Sequence, residues 1–151
     1  MIEILLAIAI IGTVLASLLS LIGFALINTS LIKQVIQANA LAQEEMEAVR
    51  NFRDQTLWQT DGLGILNVGA VYHLEITDGL SKKWSLVSGE KTTGVFTQKI
   101  IFETVYRDAN GNIAVAGAED LDSKKIIASV LWQERGRTHD IELVNYLTNW
   151  K

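Results

Sequence analysis

Hydrophobic and polar positions divide this chain into stretches of different period. From Ile4 to Ile27 the sequence reads ILLAIAIIGTVLASLLSLIGFALI, 24 residues without a charge. A run apolar on every face predicts a helix rising about 36 Å at ~1.5 Å per residue, enough to cross a ~30 Å hydrocarbon core with some tilt. Beyond Asn28 the composition changes but the helical period continues. Leu31, Val35, Ala38, Ala42, Met46, Val49 and Phe52 step by three or four, with Lys33, Gln37, Glu44, Glu47 and Arg50 off that stripe. No strong breaker lies between Ile4 and Phe52. The economical reading is one helix of ~50 residues, roughly 75 Å long, apolar in its first half and amphipathic in its second.

After the helix the period shortens to that of strands. Tyr72, Leu74 and Ile76 alternate with polar residues, and Phe96, Ile100, Phe102 and Tyr106 are expected on one face of a longer run. Ile126, Ala128, Val130 and Trp132 share a face, as do Ile141, Leu143, Asn145 and Leu147. DANGN (108–112) and ERGR (134–137) read as turns, the second joining the last two strands, and Gly62, Gly64 and Gly69 mark an irregular link from helix to sheet. The fold class expected is α+β: a long N-terminal helix whose amphipathic half packs on an antiparallel sheet. The corresponding division is 1–27 for the membrane-embedded half-helix, 28–56 for the amphipathic half and 57–151 for a β-sheet head.

Composition narrows the chemistry. A net charge of −4 with scattered basic residues gives no reason to expect nucleic acid, and the absence of cysteine excludes disulfides and thiolate metal sites. With no proline, any bend in the helix must come from glycine or hydroxyl side chains. His73 and His139 stand far apart without metal-ligand spacing and read as strand or turn residues. SGEKTTG lacks the spacing of a phosphate loop, and DANGNI lacks the closing glutamate of a calcium loop. Glu119, Asp120 and Asp122 are expected in a loop; Asn28-Thr29-Ser30 matches a glycosylation sequon, a pattern common by chance. No nucleophile–base–acid set can be assembled, so neither catalytic residues nor cofactors are expected.

A buried soluble helix is a poor alternative for the apolar run, because the remaining ~120 residues could scarcely wrap it. A secretory signal peptide fits poorly too, since the start is acidic: Glu3 precedes the run and no basic residue does. Lys33 is the only basic residue near the far end, so charge gives little leverage on orientation. Within the run Gly12, Ala16 and Ser20 recur every four residues, beside a second row of Ala9, Thr13 and Ser17. Such small residues let another helix approach closely, although they are also simply common in membrane helices. Gly12 and Gly23 lower helix propensity and are candidate weak points.

The opening MIEILLAIAIIG resembles the N-terminal segment of type IV pilins and pseudopilins. Mature chains of that family begin with an aromatic and a small polar residue, followed by a hydrophobic pair, a glutamate and a long apolar helix. Met1 and Ile2 match the hydrophobic pair and Glu3 the glutamate. The resemblance implies two further residues before Met1, N-terminal methylation, and a basic leader removed by a prepilin peptidase. It also implies that Glu3 pairs with the N-terminal amine of a neighbouring subunit during assembly. Complementing the positive end of the helix dipole, worth about 0.3–1 kcal/mol, is the alternative role. Major pilins usually carry a proline where this chain has Ser20. That departure, with the looser likeness of SVLWQERGRTHDIELVNYLTNW to the closing strands of minor subunits, favours a minor one.

The resemblance thus implies a minor or initiating structural subunit of a type IV pilus or type II secretion pseudopilus, and no enzyme. Its partners would be other pilin or pseudopilin subunits, the membrane before assembly, the prepilin peptidase and the assembly platform with its ATPase. Its location would be single-pass in the cytoplasmic membrane with the head extracytoplasmic, then in a filament at the cell surface or in the periplasm. The rivals are a membrane-anchored extracytoplasmic binding or sensor domain, and a DNA-capturing competence pilin using Lys82, Lys83, Arg135 and Arg137.

Overall fold

The structure, a computed structural model, describes residues 2–77 and 83–150. Met1 and Lys82, both named above, lie outside the described residues. Among the described residues helix α1 (Ile2–Gln55) is followed by a 3-10 turn (Leu63–Ile65) and seven strands: β1 (Val71–Thr77), β2 (Lys83–Ser88), β3 (Lys91–Thr93), β4 (Phe96–Arg107), β5 (Ile113–Ala114), β6 (Ala118–Glu134) and β7 (Arg137–Thr148). The chain forms two compact units, residues 1–36 and residues 37–151, the boundary falling inside α1.

The first unit is helix alone. Its apolar side chains are exposed from Ile2 to Ile27, Leu31 beyond them is half-buried, and no residue of the most hydrophobic window is buried. Hydroxyls in this helix turn back on it: Thr13 Oγ1 donates to Ile10 O, Ser17 Oγ to Val14 O and Thr29 Oγ1 to Ala25 O, each at 2.8 Å. A hydroxyl satisfied by its own helix removes an unpaired donor from an otherwise apolar surface.

The second unit packs the remainder of α1 on one antiparallel sheet of order β2-β1-β4-β6-β7, with β3 and β5 also paired to β4. The amphipathic stripe is buried at Ala38, Ala42, Met46 and Val49 and half-buried at Phe52, whereas Glu44 and Glu47 face outward. Ala38 and Ala42 lie against Phe96, Val130 and Trp132. Met46 and Val49 lie in a larger cluster with Leu63, Ile100, Phe102 and Ile126. Each large side chain fully buried this way contributes about 1.5–3 kcal/mol. β4 and β6 are central because the alternation places Ile100, Phe102, Ile126, Ala128 and Val130 on the helix-facing side, all inaccessible to solvent.

Three sequence expectations are corrected. Tyr106 does not continue the inward face of Phe96, Ile100 and Phe102: the register of β4 against β6 shifts between Thr104 and Val105. An irregularity there reverses the alternation, so Val105 is buried and Tyr106 is 37% exposed. Ile76 is also exposed, although Tyr72 and Leu74 of the same strand are buried. Glu119, Asp120 and Asp122 belong not to a loop but to the start of β6, where Asp120 accepts a hydrogen bond from Arg107 Nε at 2.6 Å.

The turns form as read. Asp108 Oδ1 accepts from the Asn110 and Asn112 backbone N–H groups, both at 2.9 Å. With the Asn112 bonds as the main cause, these hold its carboxyl below the ordinary range. Gly62 and Gly64 pack closely on the preceding turn: a Cβ at Gly64 would stand 2.6 Å from the Trp58 carbonyl oxygen. Arg135 and Gly136 link β6 to β7 with φ of 51° and 77°, a left-handed pair suited to a two-residue hairpin. Arginine is strained there, and asparagine adopts the conformation more readily. Arg135→Asn should therefore stabilise the fold by about 0.5–1 kcal/mol, seen as a thermal midpoint a few degrees higher by circular dichroism. An unchanged or lowered midpoint would contradict this account of the turn.

Candidate functional site

Two places carry polar chemistry in an unusual setting, one in each unit. In the first, Glu3 stands in the opening turn of α1, exposed, ahead of the uncharged run. Among the described residues no basic side chain pairs with it. Helix geometry sets Gly12, Ala16 and Ser20 in one row at four-residue spacing. Open space surrounds Gly12, where an added Cβ would meet nothing within 4 Å. The helix therefore presents a carboxylate at one end and a shallow strip of small side chains along its apolar surface.

The site in the second unit was not anticipated from the sequence. Glu45 lies on α1 beside the amphipathic stripe and is 4% exposed. Neither carboxyl oxygen has a hydrogen-bond partner among the described residues. The side chain lines a cleft of about 520 Å³ between α1 and the strands β1, β2, β3 and β4, with Glu44, Glu75, Trp84, Lys91 and Gln98 also on its walls. Burial is the main cause that pushes the Glu45 carboxyl up from 4.5 to about 8; Glu44 adds to the rise and Lys91 opposes it. Glu45 is therefore largely protonated at neutral pH. The sequence does hold a signal, because a position adjoining Ala42, Met46 and Val49 on a helix is close to the buried arc. In the run Glu44-Glu45-Met46-Glu47, however, it reads as one more solvated acid.

The histidines occupy strands. His73 is buried on β1, its Nδ1 3.1 Å from the Gly89 carbonyl oxygen and its Nε2 3.3 Å from Glu75 Oε1. His139 on β7 stacks on Trp132 with ring centroids 5.3 Å apart. Lys83 opens β2, whereas Arg135 and Arg137 flank the β6–β7 hairpin, so the sheet order sets them at opposite edges rather than in one patch. Among the described residues no group of three histidine or acidic side chains is placed to hold a metal ion.

No family model, curated protein or solved structure matches the chain.

The raised pKa of Glu45 gives stability a definite pH dependence. Below about 4.5 this residue is protonated in both folded and unfolded chains and contributes no penalty. As the pH rises from 4.5 to about 8, the unfolded chain releases its proton while the folded chain holds it, so the fold loses stability across that window. The full penalty, up to roughly 5 kcal/mol, is in place above it. Glu45→Gln should remove the penalty. Its thermal midpoint should exceed that of the parent at pH 8 and converge with it near pH 4.5, measured on the full chain in a non-ionic detergent. Parallel pH profiles for the two proteins would refute the assignment.

Proposed function

We propose that this chain is a structural subunit, minor or initiating, of a type IV pilus or a related type II secretion pseudopilus, inserted from the membrane into a helical filament. One observation carries the reading: a lone carboxylate, Glu3, stands directly before 24 uncharged residues on a helix whose apolar surface is exposed. A surface of that kind must be covered, by lipid before assembly and by like helices afterwards. A carboxylate held among such helices costs several kcal/mol unless paired, so pairing with a neighbour's amino terminus penalises wrong registers. The row Gly12, Ala16 and Ser20 would receive an adjacent helix. The α+β head, an antiparallel sheet on an amphipathic helix, is consistent with this layout.

The subunit acts without bond-making chemistry. Its partners are other pilin or pseudopilin subunits, with the prepilin peptidase and the assembly platform upstream of filament entry. Before assembly it is anchored by one helix in the cytoplasmic membrane, with the head outside the cytoplasm. A second reading, an anchored extracytoplasmic binding domain, is favoured by the cleft at Glu45, which a purely structural subunit does not require.

Two measurements separate the readings. Mass spectrometry of the native N-terminus should find a methylated residue two positions before Met1; a long upstream segment would favour the anchored binding domain and sink the filament subunit. Glu3→Gln should reduce the chain's recovery in sheared filaments by about tenfold or more while leaving its level in the membrane unchanged. Incorporation at the parental rate would remove the proposed role of Glu3.

A further inference from the structure

We infer that the cleft walled by Glu45, Glu44, Glu75 and Trp84 is a binding site for an organic cation, a primary ammonium or a guanidinium group. The inference stands apart from the filament reading, since it concerns the second unit alone. Glu45 supplies the main argument: the residue is 4% exposed and lines the cleft, and its carboxyl oxygens, both buried, meet no donor among the described residues. Buried carboxyls are ordinarily hydrogen-bonded, and one left unmatched destabilises the fold. A ligand bringing N–H donors and positive charge restores the missing partner and forms a charge-assisted hydrogen bond.

The walls fit that chemistry. Trp84, half-buried on β2, offers an aromatic ring against which a cation is attracted. Glu44 and Glu75 add negative charge, although Glu75 also meets His73 Nε2 at 3.3 Å. Among the described residues Lys91 is the one opposing charge lining the cleft, and its Nζ donates to the Leu74 carbonyl oxygen at 3.4 Å. The volume, about 520 Å³, lies in the range of small-molecule sites. A metal ion fits less well, because no three acidic or histidine side chains among the described residues converge on one point.

Charge balance supplies a readout that a merely structural glutamate would not move. Glu45 is mostly protonated at neutral pH and must ionise to pair with a cation, so binding releases a proton. The apparent affinity for an amine or guanidine that stays protonated over this range should rise about tenfold per pH unit up to about 8 and then level off. The other charged or titratable groups around Glu45 are Glu44, Glu75 and Lys91 on the walls of the cleft, and His73, which lies behind Glu75.

The test is a titration of the full-length chain in non-ionic detergent with agmatine, followed by the Trp84 indole resonance and by calorimetry in two buffers of different ionisation enthalpy. Saturable shifts, release of nearly one proton at pH 7, and a tenfold or greater weakening in Glu45→Gln are expected. Lys91→Met, which removes the competing cation, should tighten binding several-fold and keeps the proposal testable should Glu45→Gln misfold. Acetyl-lysine-methylamide tells the source: tighter binding than agmatine identifies a lysine side chain of another protein, and weaker binding a free amine. Absence of a saturable shift, or equal affinity and equal proton release in Glu45→Gln, would overturn the site.

Discussion

The seat of α1 on the sheet rests on two alanines. Ala38 and Ala42 have no solvent exposure and lie against Phe96, Val130 and Trp132, two of which are among the bulkiest side chains in the unit. A methyl group at each position lets the helix backbone come close to those rings, and Met46 and Val49 then reach Ile100 and Phe102 one turn further on. A larger residue at 38 or 42 would lift the helix from the sheet and open both clusters together. The cleft at Glu45 depends on the same seat, because α1 forms one of its walls.

The broad layout was legible in the sequence because two periods are so distinct. Steps of three and four from Ala38 to Val49 and steps of two from Ile126 to Trp132 each produced one buried face where expected. Turn chemistry was equally readable: the DANGN segment closes through the Asp108 carboxylate, and ERGR places its glycine at a left-handed position. Tyr106 was misplaced because alternation carries no mark of the register shift at Thr104 and Val105, which is decided by pairing with β6. The acids 119–122 were misplaced since polar residues on an exposed strand end look like a loop.

Glu45 shows the other limit of sequence reading. Three glutamates within four residues average to a hydrophilic helix face, yet only one of them turns under the strands. Its environment is created by residues far along the chain, Lys91, Trp84 and Gln98, brought together by the pairing of β3 with β4 and β1 with β2. Local pattern identifies where a helix will be buried but does not reveal which acid lacks a donor afterwards. Glu3 is the reverse case, visible at once because its neighbours for many residues are uncharged.

The inward-turned hydroxyls of Thr13 and Ser17 have an effect beyond local satisfaction. Where the helix settles its own polarity at these two positions, the exchange of lipid for neighbouring helices that the proposed filament requires leaves those internal bonds unaltered. At those positions the two surroundings would then be nearly equivalent solvents. In that proposed exchange shape would be what favours one environment over the other, with the single acid at the tip as the exception.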